Sequence, residues 1–266
     1  MPKVAVIIPA RFASTRFPGK PLVEIQGKTM IQRVYEQASK AESISRVIVA
    51  TDDERIFAHV QSFGGEVMMT SPHHQSGTDR CAEVINIVNT DEVLRSLDEP
   101  FQFEGIKRKW QKQTFDAVVN IQGDEPFIEP SQIDRVVEVL KKGDFSISTL
   151  VKRIDNQDFI HNPNVVKAVF SATGKAIYFS RSPIPYLRNT PQSEWLSKGE
   201  FYKHIGLYAY KSSVLKEIAQ LPPSRLEQLE SLEQLRWLEN GYAIGIAETD
   251  IETIGIDTPE DLLKIE

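Results

Sequence analysis

The feature that most constrains this chain is an alternation of two hydrophobic periods in its first half. Val4–Ala10 is an unbroken apolar run of strand length, and Arg46–Thr51, Glu66–Thr70 and Asp116–Gln122 repeat the theme. Between and after these runs lie segments with apolar residues at helical spacing: Thr29–Ala38, Glu54–Phe63, Thr78–Val88 and Ser131–Lys142. Strands apolar at successive positions are buried on both faces, so the βαβα order predicts a mainly parallel sheet covered by helices on both sides.

The second half predicts different elements. Val165–Phe170 and Ala176–Ser180 flank Ala172-Thr173-Gly174 as a hairpin. Tyr202–Tyr210 alternates, placing His204, Gly206, Tyr208 and Tyr210 on one face and Ile205, Leu207 and Ala209 on the other. Arg225–Asn240 reads as one helix with a leucine every three residues and Gly241 as its stop, and the chain closes with a strand over Ile251–Ile256 and a helix over Thr258–Ile265. All 266 residues are expected to form one continuous domain: a nucleotide part over roughly 1–150 plus 244–266, and a smaller β-containing lobe over roughly 151–243.

Composition narrows the function. A net charge of −6 argues against a nucleic-acid binder. A single cysteine, Cys81, excludes an internal disulfide framework and a cysteine-rich zinc site. No apolar stretch approaches the roughly 20 residues of a membrane span. An N-terminus running straight into a strand is expected to carry no leader, which points to the cytoplasm.

Ligands of open α/β sheets sit at the carboxyl ends of the strands. The loop there after Val4–Ala10 carries Arg11, Arg16 and Lys20 with no acid before Glu24, a cationic cluster suited to a polyanion although also readable as a solvated basic turn. It has neither P-loop nor GxGxxG spacing. Asp124 and Asp257 follow predicted strands and suit a hard divalent ion, with a turn residue as the plain alternative for Asp124. Ser76-Gly77-Thr78-Asp79-Arg80 begins a helix, either as an anion-facing N-terminus or simply as a cap.

The loop PARFASTRFPGKPL, from Pro9 to Leu22, resembles the signature of the sugar-acid cytidylyltransferases. The likeness continues in order through VATDD (Val49–Asp53), HQSGTDR (His74–Arg80), NIQGDEP (Asn120–Pro126), NPNVVKAV (Asn162–Val169), YFSRSPIPY (Tyr178–Tyr186), KHIGLYAY (Lys203–Tyr210), LEQLESLEQLR (Leu226–Arg236) and IGIDTPEDL (Ile254–Leu262). The resemblance implies a Rossmann-like, GT-A-like fold, a homodimer, CTP and KDO (3-deoxy-D-manno-octulosonate) as substrates, Mg2+ as cofactor, and a role in lipopolysaccharide biosynthesis. It implies nucleotide contacts from Ala10, Arg11, Arg16, Lys20, Ser76, Gly77 and Arg80, and metal ligation by Asp124 and Asp257. Arg11, Lys20, Asp124 and Asp257 are the expected catalytic set. Gln122, Arg181, His204, Tyr208 and Glu230 are the expected sugar contacts. The rival expectations are a cytidylyltransferase for 8-amino-KDO or a sialic acid, and a non-catalytic CTP-binding regulator. Around Asp91–Gln113 the chain is expected to carry roughly twenty residues beyond the family pattern.

Overall fold

A computed structural model describes residues 2–13, 17–90, 113–252, 255–256 and 258–262. Among them nine strands form one sheet. Its main path runs β11 (Ile244–Glu248), β7 (Ile147–Arg153), β10 (Tyr202–Lys211), β6 (Ala117–Asn120), β1 (Val4–Ala10), β4 (Arg46–Thr51) and β5 (Val67–Met69). β1 pairs in parallel with β4 and β6, β4 with β5, and β11 with β7, whereas β10 is antiparallel to both neighbours. The mainly parallel α/β fold expected from the alternation is therefore the one observed.

The two faces explain the apolar runs. Val4, Val6 and Ile8 enter one core with Ile31, Val34, Ile133 and Val136, while Ala5 and Ile7 enter another with Cys81, Val84, Ile85 and Leu215. Each residue of β1 thus leaves water on one side or the other, at about 2 kcal/mol per fully buried aliphatic side chain. β8 (Lys167–Phe170) and β9 (Ala176–Ser180) form the expected hairpin and join the sheet through β10. Beside them a small cluster of Ile154, Ile160, Trp195 and Phe201 forms its own core.

Three expectations are corrected. The helix over Arg225–Asn240 is two helices, Arg225–Glu230 and Gln234–Glu239, separated by Ser231 in the left-handed region at φ 52°. Steps of three residues fall about 60° short of a full turn, so a strict three-residue leucine repeat cannot stay on one helix face. The break lets Leu232 and Leu235 face the core while Leu229 stays 71% exposed. The C-terminal strand is β11, not Ile251–Ile256, of which the described residues lie outside any strand. β7, finally, has no counterpart in the sequence reading because Ser148 and Thr149 interrupt its apolar run. Both are fully buried: Ser148 Oγ donates to Val136 O at 2.8 Å, and Thr149 Oγ1 lies 2.9 Å from Leu207 O.

Residues 91–112, most of the expected insertion, lie outside the described residues. Their flanks are joined: Asn89 Nδ2 donates to Phe115 O at 2.9 Å, and Phe115 N donates to Asn89 Oδ1 at 2.9 Å.

Candidate active site

The carboxyl ends of β1, β4 and β6 lie side by side, and the loops leaving them converge. After β1, Gly19 adopts φ 73° and its N donates to Phe12 O at 2.9 Å, folding the loop back on itself. That fold starts a short 3-10 turn, Lys20–Leu22, whose lysine reaches across to the loop after β6. Lys20 Nζ meets Asp124 Oδ2 at 2.6 Å, with the lysine side chain 12% and the aspartate 30% exposed. Two residues 104 apart in sequence thus share one ion pair at the sheet edge.

Gly123 makes this approach possible, because a Cβ there would meet Pro9 O at 3.0 Å. The floor between the two loops is Ala10, which is buried, and Gln122 lies beside Gly77. Arg11 donates through Nη2 to His74 O, tying the cationic loop to the segment that precedes the helix Gly77–Asn89. Arg16 lies outside the described residues.

That helix begins with a capping box: Asp79 N donates to Ser76 Oγ at 3.1 Å, and Ser76 N to Asp79 Oδ2 at 3.0 Å. The cap reading of Ser76 and Asp79 therefore holds. Arg80 is fully buried, where it donates to Thr70 Oγ1 and lies 3.2 Å from Asp52. Burial lowers its pKa, and the Asp52 carboxylate opposes that shift. Its side chain has no exposed surface and ties the helix Gly77–Asn89 to Thr70 and to Asp52 just beyond β4.

The C-terminal segment returns to the same edge. Ile256 is buried against Ile25 and Met30, and its N donates to Asp124 O at 3.0 Å. Asp257 itself lies outside the described residues. Among those described, no group of three His, Cys, Asp or Glu residues could hold a metal alone. The donor chemistry nonetheless suits Mg2+, which takes one or two carboxylates together with phosphate and water oxygens.

Of the expected sugar residues, His204 and Tyr208 lie on β10, Gln122 follows β6, Arg181 follows β9 and Glu230 ends the helix Arg225–Glu230. Tyr208 pairs with Asn120, two residues before Gln122, so β10 places it one strand from β6 and the loop that carries Asp124. His204 lies four residues earlier on the same face. Between Ile205 and Tyr208 the β10–β7 register slips. His204 pairs with Val151 and Tyr208 with Thr149, so β10 gains two residues and keeps its alternation. His204 Nε2 sits 3.0 Å from Thr149 Oγ1, and burial pushes the imidazole pKa down to about 3.

Arg181 and Glu230 form a separate knot. Glu230 accepts from Ser180 Oγ at 2.6 Å and from Arg181 N at 2.9 Å. The Arg181 guanidinium donates to Glu230 O at 2.7 Å, Pro163 O at 3.0 Å and Ser231 O at 3.3 Å. The three glutamates spaced every three residues thus do three jobs. Glu227 caps its helix through Ser224 and pairs with Arg236, and Glu230 closes the Arg181 knot. Glu233 accepts from Thr78 Oγ1 at 2.8 Å, with its pKa raised by burial. That contact joins the first turn of the helix Gly77–Asn89 to the turn between the helices Arg225–Glu230 and Gln234–Glu239. Sequence reasoning favoured Glu230 and passed over Glu233, because spacing alone gives all three the same signal. Asp52 was within reach of the VATDD block, but nothing in sequence marks its partner as Arg80.

Comparison with known proteins completes the picture. Residues 5–251 match the family model described as cytidylyltransferase. The chain is 51% identical over 263 residues to a 3-deoxy-manno-octulosonate cytidylyltransferase of Cytophaga hutchinsonii, covering 98% of this chain and 96% of that protein. It is 52% identical over 268 residues to the same-named protein of Parabacteroides distasonis, covering 99% and 97%. A solved structure of CMP:2-keto-3-deoxy-manno-octonic acid synthetase complexed with CTP superposes with a TM-score of 0.83 at 40% identity, over 99% of this chain and 96% of that one.

Proposed function

The chain belongs to the cytidylyltransferase family, alongside the 3-deoxy-manno-octulosonate cytidylyltransferases, and from that premise we propose that it transfers CMP from CTP to the anomeric C2 hydroxyl of KDO. The observation that carries this reading is identity to such enzymes at 51% and 52% from end to end. In the reaction the C2 oxygen bonds to the α-phosphorus as the bond from that phosphorus to pyrophosphate breaks, and the hydroxyl proton is released.

In this reading the residues 1–150 and 244–266 serve the nucleotide, and residues 151–243 serve the sugar. Lys20, Arg11 and Arg16 meet the triphosphate and the departing pyrophosphate, cations placed where negative charge must be held. Ala10, Ser76 and Gly77 line the cytosine, with Arg80 beneath them. Asp124 and Asp257 would hold Mg2+, which when bound neutralises charge on the α-phosphate. Lys20 and Asp124 then separate, the lysine taking a phosphate oxygen in place of the carboxylate.

Arg181 receives the sugar carboxylate. A guanidinium has five N–H donors. One at each nitrogen is spent on a carbonyl, so one remains at each terminal nitrogen, a match for two carboxylate oxygens. His204 stays neutral at working pH and, with Tyr208, Gln122 and Glu230, holds hydroxyls. A homodimer in the cytoplasm, supplying lipopolysaccharide synthesis, belongs to the same proposal. No helix among the described residues is long and apolar enough to cross a membrane.

Pyrophosphate release with CTP and Mg2+ tests the reading, run with KDO against 8-amino-KDO and sialic acids. KDO is expected to give the highest kcat/KM. A different sugar acid turned over while KDO stays inert would overturn the sugar assignment, and no turnover of any of them would overturn the function.

A further inference from the structure

Lys167 opens β8 with no exposed surface at all. Its ammonium donates to the carbonyls of Val165 at 2.6 Å, Arg181 at 2.6 Å and Asn162 at 2.9 Å, three acceptors for three N–H groups. Burial lowers its pKa, and the nearby Glu230 carboxylate pushes it back up. Burying a charge is costly unless it is fully hydrogen-bonded, so a core position with no other demand would hold an apolar side chain.

The demand lies in what those carbonyls join. Lys167 grips residues 162 and 165, on either side of Pro163, and Pro163 O is itself a seat for Arg181 Nη1. The third carbonyl belongs to Arg181, so the ammonium ties the 162–165 loop to the end of β9. Glu230 closes the junction from the other side through Ser180 and Arg181 N. Two cations and one carboxylate share this junction, leaving a surplus positive charge where Arg181 has two unspent N–H groups.

We propose that Lys167 is a positioning residue for the carboxylate of the acidic sugar. It clamps the loop that seats Arg181, fixing the guanidinium fork, and supplies the positive charge that Glu230 would otherwise cancel. This rests on the reading of the chain as a sugar-acid cytidylyltransferase.

Lys167→Met keeps an unbranched side chain, one atom shorter, and removes the ammonium and its charge. Steady-state assays use whichever acidic sugar the wild type turns over, and calorimetry measures CTP binding without sugar. The sugar KM is expected to rise about tenfold, as for loss of one charge-assisted hydrogen bond, with kcat and the CTP Kd within about twofold. Because Lys167 acts through Arg181, the same substitution in an Arg181→Ala background should add less than about twofold to the sugar KM. A tenfold penalty in both backgrounds, an unchanged sugar KM in the single variant, or an equal loss of CTP affinity would overturn the proposal. If Lys167→Met does not fold, Lys167→Gln carries the same comparison, since its amide keeps two donors for the carbonyls. Collapse of both would make Lys167 a folding residue and end the proposal. A wild type inactive on every acidic sugar would overturn the functional reading and this inference with it, whereas failure of the variant comparison overturns the inference alone.

Discussion

The two halves of the cleft hold their charges in opposite ways. At the ends of β1 and β6 the Lys20–Asp124 pair joins side chain to side chain, partly open to water. At the end of β9 the cations are tied to backbone: Lys167 to three carbonyls and Arg181 to three more. An ion pair between side chains at a wet edge is worth little and exchanges easily, about 0–1 kcal/mol. Carbonyl-bound cations cannot be displaced without moving the chain. In the proposed function, the side-chain pair would trade partners as CTP arrives, and the carbonyl-bound cations would present a fixed fork to the sugar carboxylate.

The largest effect expected from this contrast is at Asp124. Asp124→Asn removes the carboxylate charge but keeps the backbone carbonyl that accepts from Ile256 N. Its kcat in the pyrophosphate-release assay should fall by about two to four decades, several kcal/mol of lost charge stabilisation, with little change in Tm. Turnover near that of the wild type at saturating Mg2+ would remove Asp124 from the metal site.

The next effect separates the halves. Lys20→Ala should weaken CTP binding, measured by calorimetry without sugar, by about one to two decades. Arg181→Ala should leave that binding intact and lower kcat/KM for the sugar by a similar factor. Arg181→Lys should recover only part, because an ammonium lacks the planar fork. Equal loss of CTP affinity in Lys20→Ala and Arg181→Ala would dissolve the distinction between the two sides.

The smallest effect is one of stability. His204 has a folded-state pKa of about 3, well below the usual histidine value of 6.5. As pH falls below about 6.5 the unfolded chain binds a proton that the folded chain refuses until about 3, so stability present above that window is lost through it. The slope from this residue is at most about 1.4 kcal/mol per pH unit. Urea unfolding at pH 7 and pH 5 should show a smaller difference for His204→Gln than for wild type. An unchanged difference would mean that the ring is hydrated and the sugar side less sealed than described.

What was legible in sequence follows the same division. The parallel strands, the acid-free loop with Lys20, and Asp124 beyond β6 were readable because two-sided burial and charge exclusion leave marks along the chain. The second half was readable in its strand alternation, but not in what holds Arg181. Lys167 lies in a strand among Val165, Val166, Ala168 and Val169, where periodicity registers only an interruption. Ser148 and Thr149 hid β7 in the same manner: the first hydroxyl serves a carbonyl of the helix Pro130–Lys141 and the second a carbonyl of β10, and a spacing rule counts both as solvent-facing. Ser231 hid the break between two helices, since one left-handed residue carries no compositional sign.

The reciprocal bonds between Asn89 and Phe115 act as a clasp around residues 90–114. The two ends of that stretch are already side by side, so closing it depends only weakly on its length: doubling the length of such a loop costs about 0.6 kcal/mol in closure entropy. A change in the number of residues between those ends carries only that small closure cost. For the same reason it is the natural port at which to graft a reporter or an affinity handle while sparing both halves of the cleft.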